Sequence, residues 1–155
     1  MNNSLRNLLA ALLLATVSTG AFAEQNKVMS PDGRLVVNVE DHAGCLYYDV
    51  TYDGKQMMQP SLLGVVANVG DFSQNLVYKS VDNRKVENNY TMRSTKASLV
   101  HYKANEMSVT YINDKKLPVI VKFRVSDNDI AFRYEFGEVN DRTHILIDQE
   151  KTAFR

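Results

Sequence analysis

Leu117 to Phe136, LPVIVKFRVSDNDIAFRYEF, constrains the chain more than any other stretch. Val119, Val121, Phe123 and Val125 fall on one face of an extended backbone. Ile130, Phe132, Tyr134 and Phe136 repeat that spacing after a Ser-Asp-Asn-Asp break. The pattern predicts a β-hairpin. A one-residue slip would expose every apolar side chain, so a period of two held through both arms excludes a helix. Lys122, Arg124, Arg133 and Glu135 occupy the opposite face, which is expected to meet water or a polar partner. Asn128 and Asp129 tolerate left-handed backbone and suit the turn.

The same alternation recurs along the chain. Ser30-Pro31-Asp32-Gly33 predicts a turn, followed by a strand through Leu35, Val37 and Val39. Asp41 to Gly44 turns into a second strand through Tyr48, Val50 and Tyr52. Asp53-Gly54 is a two-residue hairpin signal, with Lys55 to Met58 as the return arm closed by Pro60. Leu62 to Ala67 starts another apolar segment, Gly70 to Asn75 reads as a loop, and Leu76 to Val81 as a strand with Leu76 and Tyr78 on one side. From Asp82 to Lys103 polar residues dominate and the pattern degrades, which predicts a long excursion containing one strand. Met107, Val109 and Tyr111 then alternate up to the Asn113 to Lys116 turn. After the central hairpin, Val139 to Arg142 reads as a loop and His144 to Ile147 as a strand. Short strands at spacings of about 8 to 12 residues, with no helical period outside the first residues, predict an all-β fold, an antiparallel β-sandwich. Eight tyrosines and six phenylalanines can fill its core.

Met1 to Ala23 has the three parts of a secretory signal peptide: Arg6, an apolar run from Leu8 to Val17, and a small-x-small cleavage site at Ala21-Phe22-Ala23. The apolar run is about half the roughly 20 residues a membrane span needs. The expected organisation is a signal peptide over 1–23 and one domain over 24–155, exported to the periplasm or outside the cell, with no membrane attachment after processing. The chain carries 18 basic and 18 acidic residues, and no basic run with interleaved aromatics, so a nucleic-acid partner is not expected. Cys45 is the single cysteine and reads as a structural thiol.

Candidate chemistry is sparse. Asp127 and Asp129 sit at a hairpin tip, where solvation prevents their pKa values from being driven apart as acid–base work demands. Asp127-Asn128-Asp129 also lacks the glycine and distant glutamate of a calcium loop. Glu106 can be read as a sugar-binding carboxylate or, preferably, as a solvated residue at the start of a strand, paired with a neighbouring cation. His42, His101 and His144 lack the spacing of a helical zinc site. No catalytic, cofactor-binding or metal-ligating residue is assigned to this chain.

Several segments, taken together and in order, resemble one family. Ser30 to Leu35, Tyr48 to Lys55, Pro60 to Gly64, Tyr90 to Met92, Ala104 to Met107 and Phe123 to Phe136 are similar to blocks of the N-terminal domain of glycoside hydrolase family 97. The resemblance implies part of a β-super-sandwich of the galactose-mutarotase-like kind, incomplete at its C-terminal side. It implies an exported α-glucosidase or α-galactosidase as the parent enzyme, acting on an α-linked oligosaccharide. The catalytic barrel domain would be the partner on which this domain packs. Calcium would be the full-length enzyme's cofactor, with none held here, and the catalytic residues and calcium-ligating glutamate would lie beyond Arg155. The tryptophans that some family members carry in the Asp82 to Lys103 region have no counterpart here. The residues alone leave open a stand-alone carbohydrate-binding sandwich with tyrosines as stacking platforms, and a structural or adhesive surface module.

Overall fold

A computed structural model describes residues 26–92, 99–138 and 144–155. The signal peptide expected over 1–23, with Ala21 and Ala23, and the loop expected over 139–142 lie outside the described residues.

Two four-stranded antiparallel sheets face each other. The first has the order β1 (Lys27–Met29), β2 (Leu35–His42), β3 (Cys45–Tyr52) and β4 (Lys55–Leu63). The second runs β10 (Ile130–Phe136), β9 (Pro118–Ser126), β8 (Leu99–Ile112) and β7 (Val77–Thr91). A three-stranded sheet, β11 (Ile147–Glu150), β5 (Val65–Ala67) and β6 (Gly70–Phe72), lies beside them. The apolar face of each strand makes the core. Val37, Val39, Leu46, Tyr48 and Val50 come from the first sheet, and Met107, Val109, Tyr111, Val119, Val121, Phe123 and Val125 from the second. Across the layers, the Tyr48 ring lies 5.6 Å from Phe123 and 5.9 Å from Phe132. This spacing suits tilted aromatic packing.

The central hairpin forms in the register its pattern requires, from Ile130 opposite Val125 to Phe136 opposite Val119. Its turn works differently from expectation. Neither Asn128 nor Asp129 adopts positive φ, and the Ser126 Oγ instead accepts from the backbone N–H groups of both. At Asp53-Gly54 the expectation holds, with φ of 50° and 73°.

The arm expected to stop at Pro60 continues to Leu63. Proline is tolerated there because β4 is the last strand of its sheet and pairs irregularly with β3. Residues 151–155 run along its open edge: Ala153 N donates to Leu62 O and Gln59 N to Arg155 O. Gly64 then turns the chain into β5. A Cβ there would sit 2.5 Å from the Ser73 Cβ, so only glycine permits the close approach. The loop expected from Gly70 contains β6, and the last strand is Ile147–Glu150 rather than 144–147.

The largest difference lies between Asp82 and Lys103. Instead of an excursion, the described residues extend β7 and β8 as one long antiparallel pair, from Val77 opposite Ile112 to Thr91 opposite Leu99. Past the sandwich the ribbon has solvent on both faces, so it needs no strict alternation, and the periodic signal vanishes.

Candidate functional site

The outer face of the second sheet carries the only charged residue buried among the described residues. Register places Arg84, Glu106 and Arg124 in one row across β7, β8 and β9. Glu106 is 1% exposed although it points away from the core, because the two arginines cover it. Its Oε1 accepts from Arg84 Nε at 2.6 Å, and its Oε2 from Arg124 Nε at 2.9 Å and Nη2 at 2.5 Å. Burial pushes this carboxyl upward, but the hydrogen bonds and charges of the two guanidiniums outweigh it. The group is held below the usual carboxylate range. The pairing expected of Glu106 is present; the solvation is not, and the residue lies within β8 rather than at its start. Sequence reasoning could not foresee the second arginine, which comes from the ribbon whose pairing was not legible.

One step along the sheet, Lys122 Nζ donates to both carboxylate oxygens of Glu135, at 2.9 and 2.8 Å, and Arg133 Nη2 lies 2.5 Å from Oε1. The Lys122 and Arg133 bonds hold the Glu135 carboxyl below its ordinary value. Ala131, opposite Arg124, leaves a hollow of about 120 Å³ bordered by Lys122, Arg124 and Arg133.

A glycosidase's general acid needs a carboxyl driven upward, close to the working pH. Glu106 and Glu135 are both held downward, the opposite direction.

The remaining candidates serve the fold. Asp127 accepts from Asp32 N at 2.9 Å and clasps the hairpin tip to the Ser30 to Gly33 turn. His42 lies opposite Cys45 across a two-residue turn that the spacing did not reveal as a pairing, and its ring contacts Glu40 and Tyr47. His101 contacts Asn89 across the ribbon. Among the described residues no three His, Cys, Asp or Glu side chains converge as metal ligands.

Comparison with known proteins gives one family model, described as glycosyl-hydrolase 97 N-terminal, matching residues 28–155. A crystal structure of a β-arabinopyranosidase superimposes with a TM-score of 0.79 and 36% identity, over 83% of this chain and 21% of that one. Structures of a glycoside hydrolase family 97 enzyme from Pseudoalteromonas sp. strain K8, one in complex with panose and one with acarbose, each give a TM-score of 0.74 and 24% identity. They align with 83% of this chain and 20% of theirs. The chain thus spans about a fifth of the length of these enzymes.

Proposed function

The chain belongs to the N-terminal domain family of glycoside hydrolase family 97, and from that premise we propose that it serves as the non-catalytic sandwich of an exported glycosidase. The observation that carries this reading is the family match from residue 28 to 155, which takes in both facing sheets. In this reading residues 1–23 are removed after Ala23 and the mature chain works in the periplasm or outside the cell. The sandwich is the first part of a galactose-mutarotase-like super-sandwich that packs against a catalytic (β/α)8 barrel. The barrel supplies the two carboxyl groups that hydrolysis needs, about 5 to 5.5 Å apart for retention or about 6.5 to 9.5 Å for inversion. Calcium belongs to the sugar site of that full-length enzyme.

An α-linked oligosaccharide remains the proposed substrate class, supported by the panose and acarbose complexes of the family 97 enzyme. The β-arabinopyranosidase likeness adds β-arabinopyranosides to the class.

The processed chain alone is expected to release no p-nitrophenol above blank from p-nitrophenyl α-glucoside, α-galactoside or β-arabinopyranoside, with or without calcium. Calcium-dependent turnover by this chain would overturn its assignment as non-catalytic.

A further inference from the structure

Beyond the Arg84–Glu106–Arg124 row, the outer face continues onto the β7–β8 ribbon. Register places Val86 opposite Ala104, Asn88 opposite Tyr102, and Tyr90 opposite Val100, while Ala104 faces Ser126 on β9. All these residues share the face of Glu106, because side chains alternate and the pairing from Ser80 to Thr91 is unbroken. Tyr90 and Tyr102 are therefore diagonal neighbours on one surface, within reach of each other. Tyr90 is 42% exposed and Tyr102 half-buried. Partial burial raises the Tyr102 phenol, which also feels the charges of Asp129, Arg124 and Glu106 and the neighbouring phenol of Tyr90.

Two features favour a small polar ligand with an apolar face. Two phenols, with the Asn88 amide directly across from Tyr102, offer flat apolar area with hydrogen-bonding groups at its border. The local charge is also already spent internally, since Arg124 and Arg84 are committed to Glu106, so nothing here selects for an anion. A pyranose ring has this complementary form, with C–H bonds on one face and hydroxyls around the rim.

We propose that the outer face of the β7–β8 ribbon binds a neutral pyranose oligosaccharide, stacked on Tyr90 and Tyr102 and oriented by Asn88. This surface holds sugar without cleaving it. Only the choice of sugar rests on the family 97 reading.

The test is a titration of the isotopically labelled, processed chain with panose and, separately, with methyl β-arabinopyranoside, followed by NMR. Saturable shifts confined to Tyr90, Tyr102 and their cross-strand neighbours are expected with at least one probe. Affinity should fall about tenfold or more in Tyr90→Ala and in Tyr102→Ala, each checked to keep the folded spectrum. It should be unchanged in Tyr52→Ala, on the other sheet. Saturation by panose alone assigns the site to α-linked glucosides, and by the arabinoside alone to pentopyranosides. No saturable shift with either probe, or binding that both tyrosine variants leave intact, overturns the proposal. Neither result bears on the absence of hydrolysis, which the p-nitrophenyl assay reads independently.

Discussion

Phe123→Ala is expected to lower the free energy of unfolding by about 4 kcal/mol, the scale for emptying a buried phenylalanine site. Phe123 is fully buried in β9, and its ring contacts Tyr48 of the opposite sheet and Phe132 of the next strand, each at 5.6 Å. Truncation opens a cavity where the two layers meet. The surrounding strands cannot collapse into it, because ladder hydrogen bonds fix β8, β9 and β10 in register. Small domains are held by about 5 to 15 kcal/mol, so this one change removes a large share. Urea unfolding followed by circular dichroism should show a much lower midpoint with little change in slope. A loss under about 1 kcal/mol would show that Phe123 does not join the layers.

Glu106→Gln has a second large effect, expected near 2 kcal/mol at neutral pH. The variant trades charge-assisted hydrogen bonds for weaker ones and leaves two arginines in adjacent register positions without the anion between them. Arg84 is 58% exposed and Arg124 33%, so both keep partial hydration, and the estimate stays at the low end for a broken pair. The pH dependence has a definite sign. The folded carboxyl is held below its ordinary value of 4.5, so its contribution is fully present above that value and disappears as pH falls through the folded one. The wild-type chain should therefore lose stability in acid more steeply than Glu106→Gln, and the gap between them should narrow below about pH 4.5. A constant gap from pH 7 to pH 3 would contradict the row's role.

Much of this architecture is legible where one face of a strand must be dry. Val119 to Phe136 and Leu35 to Tyr52 announce their strands because every second side chain enters the core. Legibility fails where burial stops imposing a period. The ribbon beyond Lys85 has water on both sides, so Asn88, Asn89 and Tyr90 carry no strand signature, although each pairs in register. Pro60 failed for a different reason, since its missing donor matters only inside a sheet and β4 lies at an edge. At the outer face, the family resemblance includes Glu106, Tyr90 and Arg124 within its matching blocks, but only cross-strand register shows that Glu106 joins two arginines. That contact spans Arg84 to Arg124, residues in strands not adjacent to each other, and no local motif encodes it.

Residues 28–155, which match the family model, are proposed to supply the sandwich that a family 97 catalytic domain requires. The most direct measurement replaces the matching fifth of the β-arabinopyranosidase with residues 28–155 of this chain and follows hydrolysis of p-nitrophenyl β-arabinopyranoside. Turnover well above that of the enzyme with the same fifth deleted is expected. A chimera that folds but hydrolyses no faster than the deletion would contradict it.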